Sequence, residues 1–262
     1  PVRSAAFSPD GLEVLTGGDD GVARLWDVAS LTEIGALNEH SGQVRAAFSP
    51  DGARIATVGI DGIARIWDRA RRKEIARLEG HSTATLSVAF SPDGQRLLMA
   101  SEDGSARLWD AARGVALATL GGHAAAFSPD GQRLVTAGQN GTASVWDVAT
   151  LRELAILEGH AGAVWSAAFS SDGRRLATAG LDGIVRVWDA ATYQELGKLE
   201  GHSSMVLMVA FSPNGKQLVT AGGDGTARLW PNWLWEPADE SVLSLDAGRT
   251  FTKDERRRFL HE

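Results

Sequence analysis

Trp-Asp occurs five times, at 26–27, 67–68, 109–110, 146–147 and 188–189, and Trp230 continues the series with Pro231 in the aspartate's place. The tryptophans lie 41, 42, 37, 42 and 42 residues apart. Around each runs one phrase: Ala-Phe-Ser, a turn, a short apolar run, an Asp-Gly or Asn-Gly turn, then an alternating stretch ending in tryptophan. Phe7, Phe48, Phe90, Phe127, Phe169 and Phe211 mark six copies. A period of this size means units that cannot bury their own faces and must stack on their neighbours.

The fifth copy shows how one unit is organised. "AVWSAAFSS" (163–171) alternates small and apolar residues, as a strand does. The Ser-Pro-Asp-Gly of other copies is a turn, with proline presetting the second position and glycine closing the fourth. "RRLATAG" (174–180) is a second strand. "IVRVWD" (184–189) is a period-two third strand, with Ile184, Arg186 and Trp188 on one side and Val185 and Val187 on the other. "QELGKLEGH" (194–202) is a more polar fourth strand, suited to an outer edge. Four short antiparallel strands form one twisted sheet, and radial stacking of such sheets gives an all-β propeller with six recognisable four-stranded blades.

Thr178, His160 and Asp182 are the residue types of a nucleophile, a base and an orienting carboxylate. The same constellation recurs copy by copy, whereas an active site is built once, so recurrence favours a role in folding the blade. The alternative, an enzyme using the propeller channel, needs one blade marked as chemical by a departure from the repeat. No pair of carboxylates and no Ser/His set makes such a departure.

Gly-His (80–81, 122–123, 159–160, 201–202), the Asp-Gly turn and Trp-Asp together resemble the WD-repeat β-propeller family over about residues 1–232. The resemblance implies a buried hydrogen-bond chain in each blade, from the Gly-His histidine through a Ser/Thr hydroxyl and the turn aspartate, with the indole N–H donating at the other end. Three sets are complete: His40, Thr57, Asp61 and Trp67; His160, Thr178, Asp182 and Trp188; His202, Thr220, Asp224 and Trp230. The third copy has His81, Asp103 and Trp109 but Met99 in the hydroxyl's place. The fourth has Asn140 for aspartate. The first has Thr16, Asp20 and Trp26, and its histidine would precede Pro1. In the fourth copy four residues separate His123 from Phe127, against nine in copies three, five and six. Five extended residues span roughly 16 Å, so this copy gives up its interblade loop or part of its inner strand, and His123 is not expected to join a network.

The resemblance further implies a partner-binding face at one end of the channel. It is drawn from inner-strand residues (Arg3, Arg45, Leu86, Trp165, Leu207, with Met205 nearby) and from residues just before the turn aspartate (Asp19, Ile60, Glu102, Gln139, Leu181, Gly223). Trp165 stands outside the repeat's tryptophan pattern. An exposed aromatic ringed by Leu and Met has the make-up of a protein-binding hot spot; the alternative is that it packs on a neighbouring blade or fills the channel.

Composition excludes other classes. The net charge is −7 and the pI about 5.4, which works against nucleic acid or an anionic membrane as partner. There is no cysteine, so disulfides and thiolate metal sites are out, and a cytoplasmic location is the simplest expectation. No apolar run reaches the roughly 18 residues of a membrane span, and no signal peptide is visible. One histidine per repeat, with His261 in the tail, gives no metal-ligand spacing. Asn140-Gly141-Thr142 spells a sequon inside a turn, and Gly215-Lys216 lacks the rest of a phosphate loop. No cofactor, metal or small-molecule substrate is expected.

The tail, 233–262, breaks the repeat. Trp233 and Trp235 are expected to cover the last blade's exposed side, and Thr252 and Glu255 spell a capping box before a short charged helix. "AGRTFTKDERRRFL" (247–260) looks like the end of bacterial multidomain signalling proteins in which a WD-repeat propeller follows an NTPase or kinase module; the alternative is an ordinary helical cap. The chain opens inside a repeat and reads as a piece of such a protein. Pro231 and Pro237 interrupt pairing after Trp230, so the sixth blade is expected to have three strands and to meet the first by face packing alone. A regular fourth strand from "SVLSLDA" (241–247) is the alternative. The reading is a non-catalytic protein-interaction scaffold or sensor domain.

Overall fold

The computed structural model describes residues 1–38 and 40–235, excepting the side chain of Trp233. It is an all-β propeller of six antiparallel sheets. The first blade comprises β1 (Val2–Phe7), β2 (Glu13–Gly18), β3 (Ala23–Asp27) and β4 (Glu33–Leu37). The second comprises β5 (Val44–Phe48), β6 (Arg54–Gly59), β7 (Ile63–Asp68) and β8 (Lys73–Glu79). The third has β9 (Thr85–Phe90), β10 (Arg96–Ser101), β11 (Ser105–Asp110) and β12 (Val115–Gly121). The fourth has β13 (Ala124–Phe127), β14 (Arg133–Ala137), β15 (Ala143–Asp147) and β16 (Glu153–Leu157). The fifth has β17 (Val164–Phe169), β18 (Arg175–Gly180), β19 (Val185–Asp189) and β20 (Glu195–Leu199). The sixth has three strands among the described residues, β21 (Val206–Phe211), β22 (Gln217–Gly222) and β23 (Ala227–Pro231). Residues 241–247, the alternative source of a fourth strand, and the helix expected from the capping box lie outside the described residues.

Each sheet presents apolar residues on both faces because its strands alternate, and a face is buried where a neighbouring sheet packs on it. One face of the first blade presents Leu15, Leu25 and Leu37, and they meet Ile55, Trp67 and Phe48 of the second. Equivalent seams join blades two to three, three to four, four to five and five to six. The inner strands pack in succession, β1 on β5, β5 on β9, β9 on β13, β13 on β17 and β17 on β21. No comparable packing joins β21 to β1 among the described residues. That corrects the expected contact between the first and sixth blades. Phe7 is 66% exposed and Leu229 63%, although their counterparts in the seams are covered.

The turns explain several repeated residues. The aspartate of Trp-Asp accepts backbone N–H groups two or three residues on, as Asp27 Oδ1 does from Ser30 N at 2.7 Å and Asp189 Oδ1 from Thr192 N at 2.9 Å. This Asx turn starts the hairpin into the outer strand. In the Asp-Gly turn glycine is required twice over. Gly62 has φ +71°, and a Cβ there would collide with the carbonyl oxygen of His81 in the next blade. Gly21, Gly141 and Gly183 lie in the same way beneath the His40, His160 and His202 carbonyls.

Trp235 corrects the expectation for the tail. Pro231 cannot form the Asx turn, and the chain instead makes a short 3-10 turn over Asn232–Leu234. Trp235 then packs into the seam between blades five and six rather than onto the sixth blade's open face. Its Cβ is 3.6 Å from where a side chain on Gly197 would begin, and its ring meets Phe211 edge-on at 6.4 Å.

Candidate functional site

The complete relays sit between the second and third strands of their blades. In the second blade Trp67 Nε1–H donates to Thr57 Oγ1 at 2.8 Å. Thr57 Oγ1 is 2.8 Å from His40 Nε2, and His40 Nδ1 is 3.1 Å from Asp61 Oδ1. The fifth blade repeats the chain through Trp188, Thr178, His160 and Asp182 at 3.0, 2.9 and 3.0 Å. The sixth does so through Trp230, Thr220, His202 and Asp224 at 2.9, 2.8 and 2.9 Å. In the fifth and sixth blades one proton pattern satisfies all four groups: indole N–H to hydroxyl oxygen, hydroxyl to neutral Nε2, Nδ1–H to carboxylate. Burial pushes the His40 and His160 imidazoles below their ordinary value, against the pull of their aspartates. Burial works to raise the Asp182 carboxyl. Hydrogen bonds from His160 and from the Ala161 and Ile184 N–H groups outweigh it and hold the carboxyl low.

This geometry does not suit catalysis. Thr178 and Thr57 are fully buried, and each hydroxyl is already engaged on both sides, so a substrate carbonyl has no approach to it. The arrangement instead satisfies buried polar groups and ties the loop between blades to the third strand. Asp182→Ala leaves His160 without its acceptor. It should lower stability by roughly 1–3 kcal/mol, read as the shift of the unfolding midpoint in a urea titration. An unchanged midpoint would count against the structural role.

The incomplete blades show what a lost member does. In the third, His81 Nδ1 keeps Asp103 at 3.0 Å, but Met99 offers no hydroxyl, so His81 Nε2 and Trp109 Nε1 are buried without partners. In the first, Trp26 donates to Thr16 at 2.8 Å. In the fourth, Trp146 donates to Thr136 at 3.0 Å, while Asn140 Oδ1 accepts from Thr142 Oγ1 at 2.8 Å. His123 belongs to no relay. Its N–H donates to the Ala137 carbonyl at 2.9 Å, which places it at the buried head of the inner strand, where other blades have Val44, Thr85, Val164 and Val206. Both its ring nitrogens are unpartnered, and burial pushes its imidazole below its ordinary value.

The candidate partner-binding residues come together at one end of the blades. The residue before each turn aspartate is bonded to the segment leading into the inner strand: Ile60 N to Gln43 O at 3.3 Å, Glu102 N to Ala84 O at 3.0 Å, Leu181 N to Ala163 O at 2.8 Å and Gly223 N to Met205 O at 2.7 Å. Arg3 is ion-paired with Asp19. Arg45, Leu86 and Met205 are half-buried, while Ile60, Leu181 and Leu207 are exposed. Burial, and then the neighbouring Arg3, push the Arg45 guanidinium below its ordinary value. Trp165 is 37% exposed and meets His123 of the fourth blade edge-on at 4.9 Å. It therefore packs on a neighbouring blade and also opens to solvent.

One member of the blade went unnoticed in the sequence. Arg24, Arg65, Arg107, Arg186 and Arg228 precede their tryptophans by two, and the fourth copy has Ser144 there. Arg65 Nη1 donates to Asp61 at 3.0 Å and its Nε lies 3.3 Å from Glu74. Arg186 pairs with Glu195 and reaches the Gly159 carbonyl. The signal was the position's constancy across five copies.

Stacked four-stranded blades with a buried His–Thr–Asp–Trp relay define a repeat propeller. The chain belongs to the WD40 family: the model for the WD domain, G-beta repeat, matches residues 1–27, 31–68, 72–110, 114–147, 151–189 and 193–231. No curated protein matches the chain in sequence. Among the described residues no helix is long and apolar enough to cross a membrane, and no group of three or more metal-ligating side chains is present.

Proposed function

We propose that this region is a non-catalytic protein-interaction scaffold whose partner, a protein or peptide, docks on the end carrying Arg3, Arg45, Ile60, Leu86, Trp165, Leu181, Met205 and Leu207. WD40 domains generally serve as such scaffolds. The observation that carries the assignment is Trp165: a large ring, partly open, at the mouth of the inner strand, with exposed Leu181 bonded through its N–H to Ala163 two residues before it. Aromatic anchors of this kind supply most of the binding energy where they are buried by a partner. A cytoplasmic signalling setting, with this region acting as the sensor half of a larger bacterial protein, is the context we favour. It rests on residues 247–260, outside the described residues.

A photo-crosslinker placed at position 165 tests the face, with one at exposed Ile156 on the outer strand β16 as the control. Position 165 should give a discrete protein adduct that position 156 does not. Trp165→Ala should abolish the adduct formed from a crosslinker at Leu207 and move stability by less than about 1 kcal/mol, since half-open surface rings contribute little to folding. A destabilisation of several kcal/mol with capture intact would assign the ring to blade packing instead.

A further inference from the structure

The fourth blade departs from the others at several points, and the departures meet in one place. The shortened loop leaves Gly104 of the third blade with nothing within 4 Å of a Cβ position, whereas Gly21, Gly62, Gly141 and Gly183 lie beneath the next blade's loop. Gly59, Gly180 and Gly222 each sit beneath an imidazole; at Gly138, their counterpart, the nearest atoms belong to Asn140 and Thr142. Gly121 at the end of β12 also faces open space. Ser144 stands where five other blades carry arginine, yet the acidic partner of that arginine is kept as Glu153. Glu153 pairs with Trp146 in register, as Glu33, Glu74 and Glu195 do with theirs. Those three glutamates hold Arg24, Arg65 and Arg186; Glu153 forms no ion pair among the described residues. The result is a cleft of about 470 Å³ whose walls include Gly104, Gly121, Asn140, Ser144, Trp146 and Glu153, a volume within the range of ligand sites.

We infer that this cleft binds the side chain of an arginine presented by a partner polypeptide, with the Glu153 carboxylate as its ion partner and the Trp146 indole against its aliphatic stem. The template is internal. In the third blade a Cβ on Gly80 would touch both Trp109 Cζ2 and Arg107 Cδ, so stem and indole already lie side by side there. A guanidinium suits the site better than an ammonium because its planar fork meets a carboxylate with two donors and its stem needs apolar cover. A peptide-borne arginine suits it better than the free amino acid, whose own α-carboxylate would be brought near Glu153. The site goes beyond the docking face at Trp165 and stands or falls without it.

The test uses N-acetylarginine methylamide as probe, read by amide NMR shifts at Gly121, Asn140 and Thr142. Saturable shifts at about millimolar affinity are expected, the range for a ligand of this size. Free arginine should bind several-fold more weakly, and the isosteric uncharged citrulline analogue should not bind. Glu153→Gln should weaken the probe about tenfold, one charge-assisted pair being worth a decade or so. Glu153 is exposed on an outer strand, so that variant should fold. Ser144→Arg, which restores the arginine of the other blades, should abolish the shifts by filling the cleft from within. Absence of saturable shifts, equal binding of the citrulline analogue, equal binding of free arginine, or full binding by Ser144→Arg would each overturn the assignment.

Discussion

Trp235→Ala should lower stability by about 3–5 kcal/mol, the cost of truncating a buried tryptophan in a seam. The ring is 3% exposed and lies among Val187, Leu199, Leu218 and Trp230. Its place is set by the repeat. Leu31, Arg72, Gly114, Leu151 and Tyr193 each stand five residues after their tryptophan, in the turn to the outer strand, and Trp235 stands five after Trp230. Arg72 packs over Gly35 of the first blade, Leu151 joins the seam with the third and Tyr193 the seam with the fourth. These three turns therefore reach back to clasp the preceding blade, whereas Leu31 of the first blade is exposed, and Trp235 keeps that clasp although the sixth blade has no outer strand among the described residues. The other four non-glycine turn residues hold φ between 54° and 61°, a conformation side chains adopt at some cost. Trp235 reaches its place at φ −132° instead. A urea titration of Trp235→Ala, with Trp235→Phe as the milder control, checks the value. A loss below about 1 kcal/mol would show that the sixth blade holds to the fifth without the clasp.

The repeat made most of the architecture legible. Six phrases at nearly constant spacing give the blades, and residue types that recur at fixed offsets give the relay, because each member must find its partner within one blade. The pairs at the inner end of the blades could be placed for the same reason. What escaped the sequence depends on contacts between blades or on a broken period. Trp235 was masked by Pro231, which ends the familiar phrase, although a count of five from Trp230 would have found it. The exposed faces at Phe7 and Leu229 could not be read, since their residues are the same apolar types as those in the closed seams. Arg65 and Arg186 look like solvated charges on an alternating strand. Only their acidic neighbours, Asp61 with Glu74 and Glu195, reveal them as buried members of the blade.

His123→Val should stabilise the protein, by about 2–3 kcal/mol near neutral pH. The five-residue deletion could have been taken from the loop or from the strand. It was taken mostly from the loop, which draws His123 into the position that Val44, Val164 and Val206 fill elsewhere. There it is 2% exposed with neither ring nitrogen bonded. Each unpaired buried polar group costs about 1–3 kcal/mol, and only the edge contact with Trp165 offsets this. Valine fits because the backbone already follows the path of its counterparts, β13 pairing with β14 from Ala124 to Phe127. The sign with pH follows from the depressed imidazole. The unfolded chain takes up a proton near pH 6.5, while the folded one resists it to lower pH. Unfolding therefore gains a proton as pH falls below about 6.5, and the parent protein loses stability there. His40, His81 and His160 are depressed by burial as well, so the variant should keep part of the acid sensitivity and lose the share of His123. The advantage of the valine variant should then be larger at pH 5 than at pH 8, measured as the difference between the two proteins' unfolding free energies in urea at each pH. A constant difference would mean that His123 finds a partner in solution, and a less stable variant would mean that the Trp165 contact outweighs the unpaired nitrogens.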